Sequence, residues 1–252
     1  MIINIHKANE RGYSDFGWLK SHFTFSFAEY FNPLRQKFGV IRALNDEVIS
    51  PHSEFTATSY KNIELLFIPI CGELSISTDA DYKQTVQTSQ IQLISAGTGM
   101  QLTLANKSDE PLHLIQLWIY SKEKNLSPNF QISQFDSRER NNRLQLIASP
   151  SVITDVLWIN QNAWISQIDM QSNSTFNYRL FDEKNQLLIF LLEGELLIRE
   201  EQFDGESQDK TKSLSQYSAN KRDSIEIMDI KGSLSINCTR ECRLLIIEVP
   251  ED

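Results

Sequence analysis

The sequence is poor in the features that mark membrane and secreted proteins. No stretch approaches the roughly 20 apolar residues of a membrane-spanning helix, and the first residues lack a signal-peptide pattern. Three cysteines form no paired framework, which is typical of a reduced, intracellular chain. We therefore expect a cytoplasmic protein with no membrane contact.

Positive charge is also scarce. Lys and Arg number 24 against 33 Asp and Glu, and the net charge is −9. Binding to nucleic-acid phosphates requires clustered positive charge. The composition therefore argues against direct contact with DNA or RNA, and any effect on transcription would need a protein partner.

Cys238 and Cys242 are spaced C-x-x-x-C. On a regular strand this spacing places both side chains on one face, about 13 Å apart. That distance is too long for a disulfide or a shared metal ion. We therefore expect two small buried thiols that act independently.

Strand signals dominate what is present. Phe23, Phe25 and Phe27 alternate with small or polar residues, the period of a half-buried strand. Other short runs are rich in β-branched and aromatic residues and are bounded by Gly, Asn, Asp or Ser. The best candidate for a helix is the segment 149–159. The pattern predicts an all-β protein.

An internal repeat indicates two similar domains. LLFIPICGELSIS at 65–77 is similar to LLIFLLEGELLIR at 187–199, and a repeat of this length is typical of tandem domains. Gly72 and Gly194 predict a tight hairpin in each copy. The predicted divisions are an N-terminal barrel at 1–125, a linker at 126–148 and a C-terminal barrel at 149–252, with a solvated loop at 200–213.

Four stretches in the first half carry a family resemblance. They are RGYSDFGWLKSHFTFSFAEYFNP (11–33), FGVIRALNDEVI (38–49), SAGTGM (95–100) and EPLHLIQLWI (110–119). In this order they resemble the pirin family of bicupins. The resemblance implies two cupin barrels, each a double-stranded β-helix or jelly roll, packed together in a monomer. In typical members it also implies an iron-like metal in the N-terminal barrel. Some members resemble flavonol (quercetin) dioxygenases, and a nuclear member is regarded as a transcriptional coregulator.

The metal ligands of the family are absent from this chain. The family pattern places His-x-His before a glutamate and His-x-Glu after Ala-Gly-Thr-Gly. Those positions here hold Thr58, Tyr60, Leu102 and Leu104. Leucine has no lone pair to donate, and iron-type metals prefer imidazole and carboxylate ligands. We therefore expect no metal and no cofactor; the alternative is iron or a similar divalent metal, if the true register is shifted.

Histidine could supply a displaced ligand only from a few places. His52 lies upstream of the first ligand pair and would enter the cavity if the register were shifted. A loop position beside Pro51 is the preferred interpretation. The whole chain contains His6, His22, His52 and His113.

The former ligand positions also predict what lines the first barrel. If alternation is regular, Thr58, Tyr60, Leu102 and Leu104 face inward, and Glu64 shares the parity of Tyr60 as a polar group of the cavity. Two interpretations stay open at this point. The side chains fill the barrel, as in many small barrels, or they line an apolar pocket for a small organic ligand.

The sequence therefore supports two main functional hypotheses. The first is a non-enzymatic bicupin without catalytic residues, which binds a small aromatic ligand or a protein partner as a regulator or accessory subunit. The alternative is a metal-dependent quercetin 2,3-dioxygenase, which the missing ligands oppose. A metal-independent isomerase or lyase is a third hypothesis.

Overall fold

The computed structural model describes residues 1–199 and 216–251, which are predominantly β-structure. They form two compact units. The N-terminal unit comprises Arg11–Asp136 and Ile147–Ala163, and the C-terminal unit comprises Met1–Glu10, Ser137–Leu146 and Trp164–Glu251. The prediction of an all-β fold is confirmed. The loop predicted at 200–213 lies outside the described residues.

Twenty strands and two short 3₁₀ turns, Ala8–Glu10 and Ser137–Arg140, occur in the described part of the chain. The first twelve strands are β1 (Ile2–His6), β2 (Gly12–Asp15), β3 (Leu19–Phe23), β4 (Ile41–Ile49), β5 (Ser53–Tyr60), β6 (Ile63–Cys71), β7 (Glu73–Thr78), β8 (Lys83–Gln87), β9 (Gln90–Ser95), β10 (Met100–Asn106), β11 (Leu112–Tyr120) and β12 (Asn129–Gln134). The others are β13 (Gln145–Ser149), β14 (Leu157–Trp158), β15 (Trp164–Met170), β16 (Thr175–Arg179), β17 (Asn185–Arg199), β18 (Gln216–Asn220), β19 (Ser224–Met228) and β20 (Ser233–Pro250).

Two sheets build the N-terminal unit. One has the strand order β12-β9-β6-β11-β4-β3-β2, and the other has the order β5-β10-β7-β8. Both contribute buried apolar side chains to one core cluster, so the core lies between them. This cluster, called the N-terminal core below, includes Leu19, Ile49, Tyr60, Ile63, Leu65, Phe67, Leu74, Ile76, Leu102, Leu104, Leu112 and Leu114.

The C-terminal unit contains the strand run β1-β19-β17-β20-β15, with β16 paired to β20 and β18 paired to β17. Strand β1 comes from the start of the chain, and Ile2 lies opposite Met228. Ile3 and Ile5 pack against the apolar cluster of this unit. The first ten residues therefore belong to the C-terminal unit, whereas the sequence had assigned them to the N-terminal barrel.

The segment 126–148, expected as a linker, contains strand β12 and the start of β13. Strand β12 pairs antiparallel with β9, which places this part of the segment in the N-terminal sheet. The predicted helix at 149–159 is wrong, because the region forms turns and strand β14, which pairs in parallel with β13. The described residues contain no helix that is long and apolar enough to cross a membrane.

Gly72 and Gly194 do not form hairpin turns, so the two predicted hairpins are wrong. Gly72 separates β6 from β7, which belong to different sheets. Gly194 lies inside the uninterrupted strand β17. Both have positive φ angles, 80° and 92°, which only glycine adopts without strain. A local sequence pattern cannot distinguish such a corner from a hairpin, because both need the same backbone conformation.

Candidate functional site in the N-terminal barrel

Three of the four positions that the family resemblance aligns with metal ligands lie together in the N-terminal core. Tyr60 ends strand β5 and is 8% exposed, while Leu102 and Leu104 of β10 are fully buried at 0%. All three belong to the same apolar cluster. The Tyr60 ring meets the Trp118 ring edge-on, with centroids 5.0 Å apart. These three residues therefore present carbon surface and one phenol to the barrel interior.

Strand β5 is irregular at the fourth position. Tyr60 lies opposite Met100, and Ala57 lies opposite Leu102, so β5 has one residue more than β10 in this interval. This is a β-bulge, which interrupts simple alternation. The side chain of Thr58 lies outside the described part of the structure. The parity argument that joined Thr58 to Tyr60 therefore does not hold across the bulge.

Glu64 does not line the barrel interior, and this prediction was wrong. Its neighbours Ile63 and Leu65 belong to the N-terminal core, so Glu64 faces the opposite side of β6. There the Ser95 and Ser121 hydroxyls donate to its carboxylate at 2.5 and 2.6 Å. Burial raises its pKa. Alternation from Tyr60 fails because the chain turns between β5 and β6.

A row of polar side chains faces the interior instead. Asn45 and Glu47 share the parity of Ile49 on β4, and Ile49 belongs to the N-terminal core. Asn45 lies opposite Gln116, and Glu47 lies opposite Ser21. All four polar residues are buried. We call Ser21, Asn45, Glu47 and Gln116 the interior polar row.

The sequence contained a signal for this row. In IRALNDEVI, polar residues occupy positions whose parity is otherwise apolar, and Gln116 interrupts the run HLIQLWIY in the same way. Buried polar residues in an apolar alternation indicate either a structural network or a binding site. These residues lie on strands β4 and β11, away from the positions that the family resemblance aligns with metal ligands.

Hydrogen bonds connect most of the interior polar row. The Gln116 amide donates to Glu47 Oε2 at 2.5 Å, and the Ser21 hydroxyl donates to Glu47 Oε1 at 3.3 Å. The Trp118 indole N–H donates to Gln116 Oε1 at 3.3 Å. Burial raises the pKa of Glu47 to about 7, although both donors act in the opposite direction. This carboxyl also raises the pKa of the Tyr60 phenol, after burial as the main cause.

Asn45 is the exception in the row. Its side chain is 1% exposed, yet neither its Nδ2 nor its Oδ1 atom has a hydrogen-bond partner. A buried amide without partners costs about 1–3 kcal/mol for each unsatisfied group. Native proteins leave few such groups, and each one calls for a specific explanation. Asn45 therefore offers one donor and one acceptor to anything that occupies the barrel interior.

The histidines lie elsewhere. His52 is exposed and lies 2.9 Å from Asp109, so it does not enter the barrel. His113 contacts Asp46 at 2.5 Å, and Arg11 contacts the same carboxylate at 3.2 Å. The His22 ring packs against the Tyr13 ring, with centroids 4.8 Å apart. His6 Nε2 lies 3.0 Å from Glu226 Oε1. Among the described residues, no group of three or more His, Cys, Asp or Glu could hold a metal ion.

We predict that Glu47→Gln removes a pH dependence of folding stability. The carboxyl has an ordinary pKa of 4.5 and a folded pKa of about 7. A pKa raised by folding gives stability that is complete below pH 4.5 and is lost as pH rises to 7. The loss amounts to about 3 kcal/mol, at roughly 1.4 kcal/mol per pKa unit. Glutamine keeps the shape and stays neutral, so urea unfolding at pH 8 should show a more stable variant.

The control is Glu54→Gln, which makes the same change at an exposed position of β5. Urea unfolding from pH 4.5 to 8 should give this control the slope of the unsubstituted protein. An unchanged slope in Glu47→Gln would show that Glu47 ionises without penalty in the folded state.

Comparisons with known proteins agree with this architecture. The Pirin family model matches residues 5–119, and the model of the quercetinase C-terminal cupin domain matches residues 146–249. Quercetin 2,3-dioxygenase of Escherichia coli K12 is 35% identical over 162 residues, which cover 64% of this chain and 69% of that protein. The pirin-like protein YhaK of the same strain is 28% identical over 180 residues, 71% of this chain and 76% of that one.

A solved structure extends the likeness to the full length. The crystal structure of the bacterial pirin YhhW from Escherichia coli, in complex with nickel(II), has a TM-score of 0.86 and 27% identity and covers 100% of both chains. With a pirin domain followed by a quercetinase-type cupin domain, and with a curated relative above 30% identity, this chain belongs to the pirin family of bicupins.

Proposed function

We propose that this pirin is a non-enzymatic member of the family that binds a small aromatic molecule inside its N-terminal barrel without a metal. The observation that carries the proposal is the buried Asn45 amide, whose two polar atoms have no partner. A ligand with one hydrogen-bond acceptor and one donor would satisfy both. Its apolar part would contact the aromatic rings of Tyr60 and Trp118.

The chemistry of the former ligand positions supports the absence of a metal. An iron-type ion needs imidazole or carboxylate donors, and Leu102 and Leu104 provide none. Tyr60 offers one phenol, but burial raises its pKa, which disfavours the phenolate that a metal would require. The residues present therefore do not fit the metal that the family implies.

The ligand class follows from the interior polar row and its surroundings. Glu47 with a pKa of about 7 exists partly as a neutral acid, which can donate as well as accept a hydrogen bond. Phenols and carbonyl-bearing aromatics present matching groups on a flat apolar frame. We infer that such molecules, flavonols among them, are the class to test first.

We predict that a member of this class stabilises the chelator-treated protein. A panel of flavonols and simple phenols would be screened by thermal shift, followed by calorimetry on any ligand found. A ligand at 100 times its Kd adds about 2.7 kcal/mol when it binds only the folded state. Asn45→Leu should lose most of this stabilisation relative to its own ligand-free baseline, because it removes the donor and the acceptor together.

Asn4→Leu is the matched control, since it makes the same chemical change at an exposed position of strand β1. It should keep the ligand-induced shift. No shift with any compound would indicate that side chains fill the barrel. Loss of flavonol absorbance that depends on added iron and stops with chelator would overturn the proposal in favour of a quercetin 2,3-dioxygenase, the activity named for the 35% identical relative.

A further inference from the structure

The thiols of Cys238 and Cys242 lie in contact, which contradicts the separation expected from their spacing. Their Sγ atoms are 3.1 Å apart, and each residue is 2% exposed. Both belong to the apolar cluster of the C-terminal unit. The estimate of about 13 Å assumed a regular strand, and β20 is not regular here.

Extra residues in β20 bring the two thiols together. Cys238 lies opposite Leu196, and Arg243 lies opposite Glu193. Strand β20 thus takes five residue steps where β17 takes three, so two residues bulge out of the pairing and the backbone contracts along its axis. The register shifts on both sides of Glu195 mark the same irregularity.

Gly194 makes room for the bulge. Its φ angle is +92°, and a Cβ atom placed there would lie 2.1 Å from the Glu241 carbonyl oxygen and 2.7 Å from Cys242 Cα. A side chain at this position would therefore push the bulged segment away. The contact between the thiols depends on a glycine that lies 44 residues before Cys238 in the printed sequence.

The surroundings of Cys242 disfavour its thiolate in the resting state. The Cys242 thiol lies 2.9 Å from the Glu195 carbonyl oxygen and 3.0 Å from that of Arg240. The Cys238 thiol lies 3.4 Å from the Met170 carbonyl oxygen and 3.2 Å from that of Arg240. Burial raises the pKa of the Cys242 thiol, and the neighbouring Cys238 adds to the effect. Reaction through a thiolate is therefore slow near neutral pH.

Of the two cysteines, Cys242 borders a cavity. This cavity of about 540 Å³ in the C-terminal unit is lined by Cys242, together with acidic side chains and the cations Lys221, Arg240 and Arg243. Cys238 is not among its lining residues. The cations are paired with the acidic side chains at 2.9–3.7 Å, Lys221 with Glu193, Arg240 with Glu195 and Arg243 with Asp169. A molecule with both ammonium and carboxylate groups offers a partner to each member of such pairs.

We propose that Cys238 and Cys242 form a redox-active dithiol, which closes to an intramolecular disulfide by exchange with an amino-acid-type disulfide that enters this cavity. The Cys242 thiolate attacks one sulfur of the entering disulfide, whose S–S bond breaks and releases one thiolate. Cys238, deprotonated in turn, attacks Cys242 Sγ and expels the second thiol. The protein loses two hydrogens, and one disulfide is reduced to two thiols.

The geometry favours closure of the Cys238–Cys242 disulfide over a stable mixed disulfide at Cys242. The two Sγ atoms need to approach by about 1 Å to reach the S–S length near 2.05 Å. The resolving thiol is already in contact with the attacked sulfur, so it competes well with an external thiol. Because this pair lies in the C-terminal unit, the proposal is independent of the ligand site in the N-terminal barrel.

The test uses oxidised glutathione on the folded, full-length protein at pH 8.5, with remaining thiols blocked before digestion. Trypsin cleaves after Lys231, Arg240 and Arg243, so it separates Cys238 (peptide 232–240) from Cys242 (peptide 241–243). We expect mass spectrometry to find these two peptides joined by a disulfide. Cys71, which is exposed, should carry glutathione in the same sample and report that the oxidant was active.

Single variants define the order of attack. Cys238→Ser should trap glutathione on Cys242, while Cys242→Ser should leave Cys238 unmodified in the folded state. The rate of disulfide formation should rise about tenfold per pH unit below the thiol pKa, because only the thiolate reacts. Circular dichroism would verify that each variant is folded.

Two results would overturn the proposal. If the joined peptides form only after urea denaturation, the thiols are inert core residues. If Cys238 in folded Cys242→Ser takes up glutathione as fast as Cys242 does in Cys238→Ser, the cavity does not select the attacking thiol.

Discussion

One of two combined variants should gain a metal site and become dependent on it for stability: both carry Tyr60→His, Leu102→His and Leu104→Glu, and the fourth substitution is either Thr58→His or Ala57→His. Without metal, each should be less stable than the parent by about 5 kcal/mol, because polar groups replace two fully buried leucines. Nickel(II) at 100 times its Kd should restore about 2.7 kcal/mol to the variant that binds it. The measurements are thermal unfolding with and without nickel and elemental analysis after gel filtration.

The bulge in β5 is the reason for comparing two variants. Ala57, not Thr58, lies opposite Leu102. The variant that carries Ala57→His in place of Thr58→His therefore tests which residue of the bulge completes the metal site. The unsubstituted protein should show no nickel-dependent shift. If both variants fold and neither binds metal, then the four positions do not converge and our account of the lost site is wrong.

Gly194→Ala should be among the most destabilising single substitutions in the chain. The new Cβ atom would lie 2.1 Å from the Glu241 carbonyl oxygen and 2.7 Å from that of Arg240. These are backbone atoms of the paired strand β20, so relief requires the pairing itself to move. Together with the strain of a non-glycine residue at φ +92°, we expect a loss of about 3–5 kcal/mol in the free energy of unfolding.

Gly232→Ala separates the two causes. Gly232 has a φ angle of +82°, and nothing lies within 4 Å of a Cβ atom placed there. This control should lose only the conformational term, about 1 kcal/mol. Urea unfolding of both variants gives the comparison. Equal losses would mean that the close approach of β20 to Gly194 is not a real constraint. Gly194→Ala should also slow disulfide formation between Cys238 and Cys242, because the bulge that joins them would be displaced.

The repeat and its glycines show how far local pattern extends. The alternation of apolar residues predicted strands, and the 65–77 and 187–199 copies predicted two similar domains, as the structure and the family models confirm. The same pattern predicted hairpins at both glycines. Gly72 instead lies between β6 and β7, and Gly194 lies inside β17, next to a shift in its pairing with β20. A positive φ angle is a local property, whereas the identity of the strand that follows depends on distant pairing.

Part of the candidate site could likewise be predicted from the sequence, and part could not. The sequence shows that Tyr60, Leu102 and Leu104 carry no imidazole or carboxylate, and the barrel buries all three in one cluster. The side of β6 on which the Glu64 side chain lies could not be predicted from Tyr60. The turn between β5 and β6 interrupts the alternation of inward and outward residues. Asn45 and Glu47 gained their significance only when β3, β4 and β11 were aligned in one sheet.

The sequence alone determined the all-β class and the two-domain repeat, since both depend on residue type and short-range period, and four motifs in order carried the resemblance to the family. Only the tertiary structure decided which polar groups are buried without partners, which unit the first strand completes and how near Cys238 lies to Cys242. Those properties depend on register, and one extra residue in a strand changes which side chains meet.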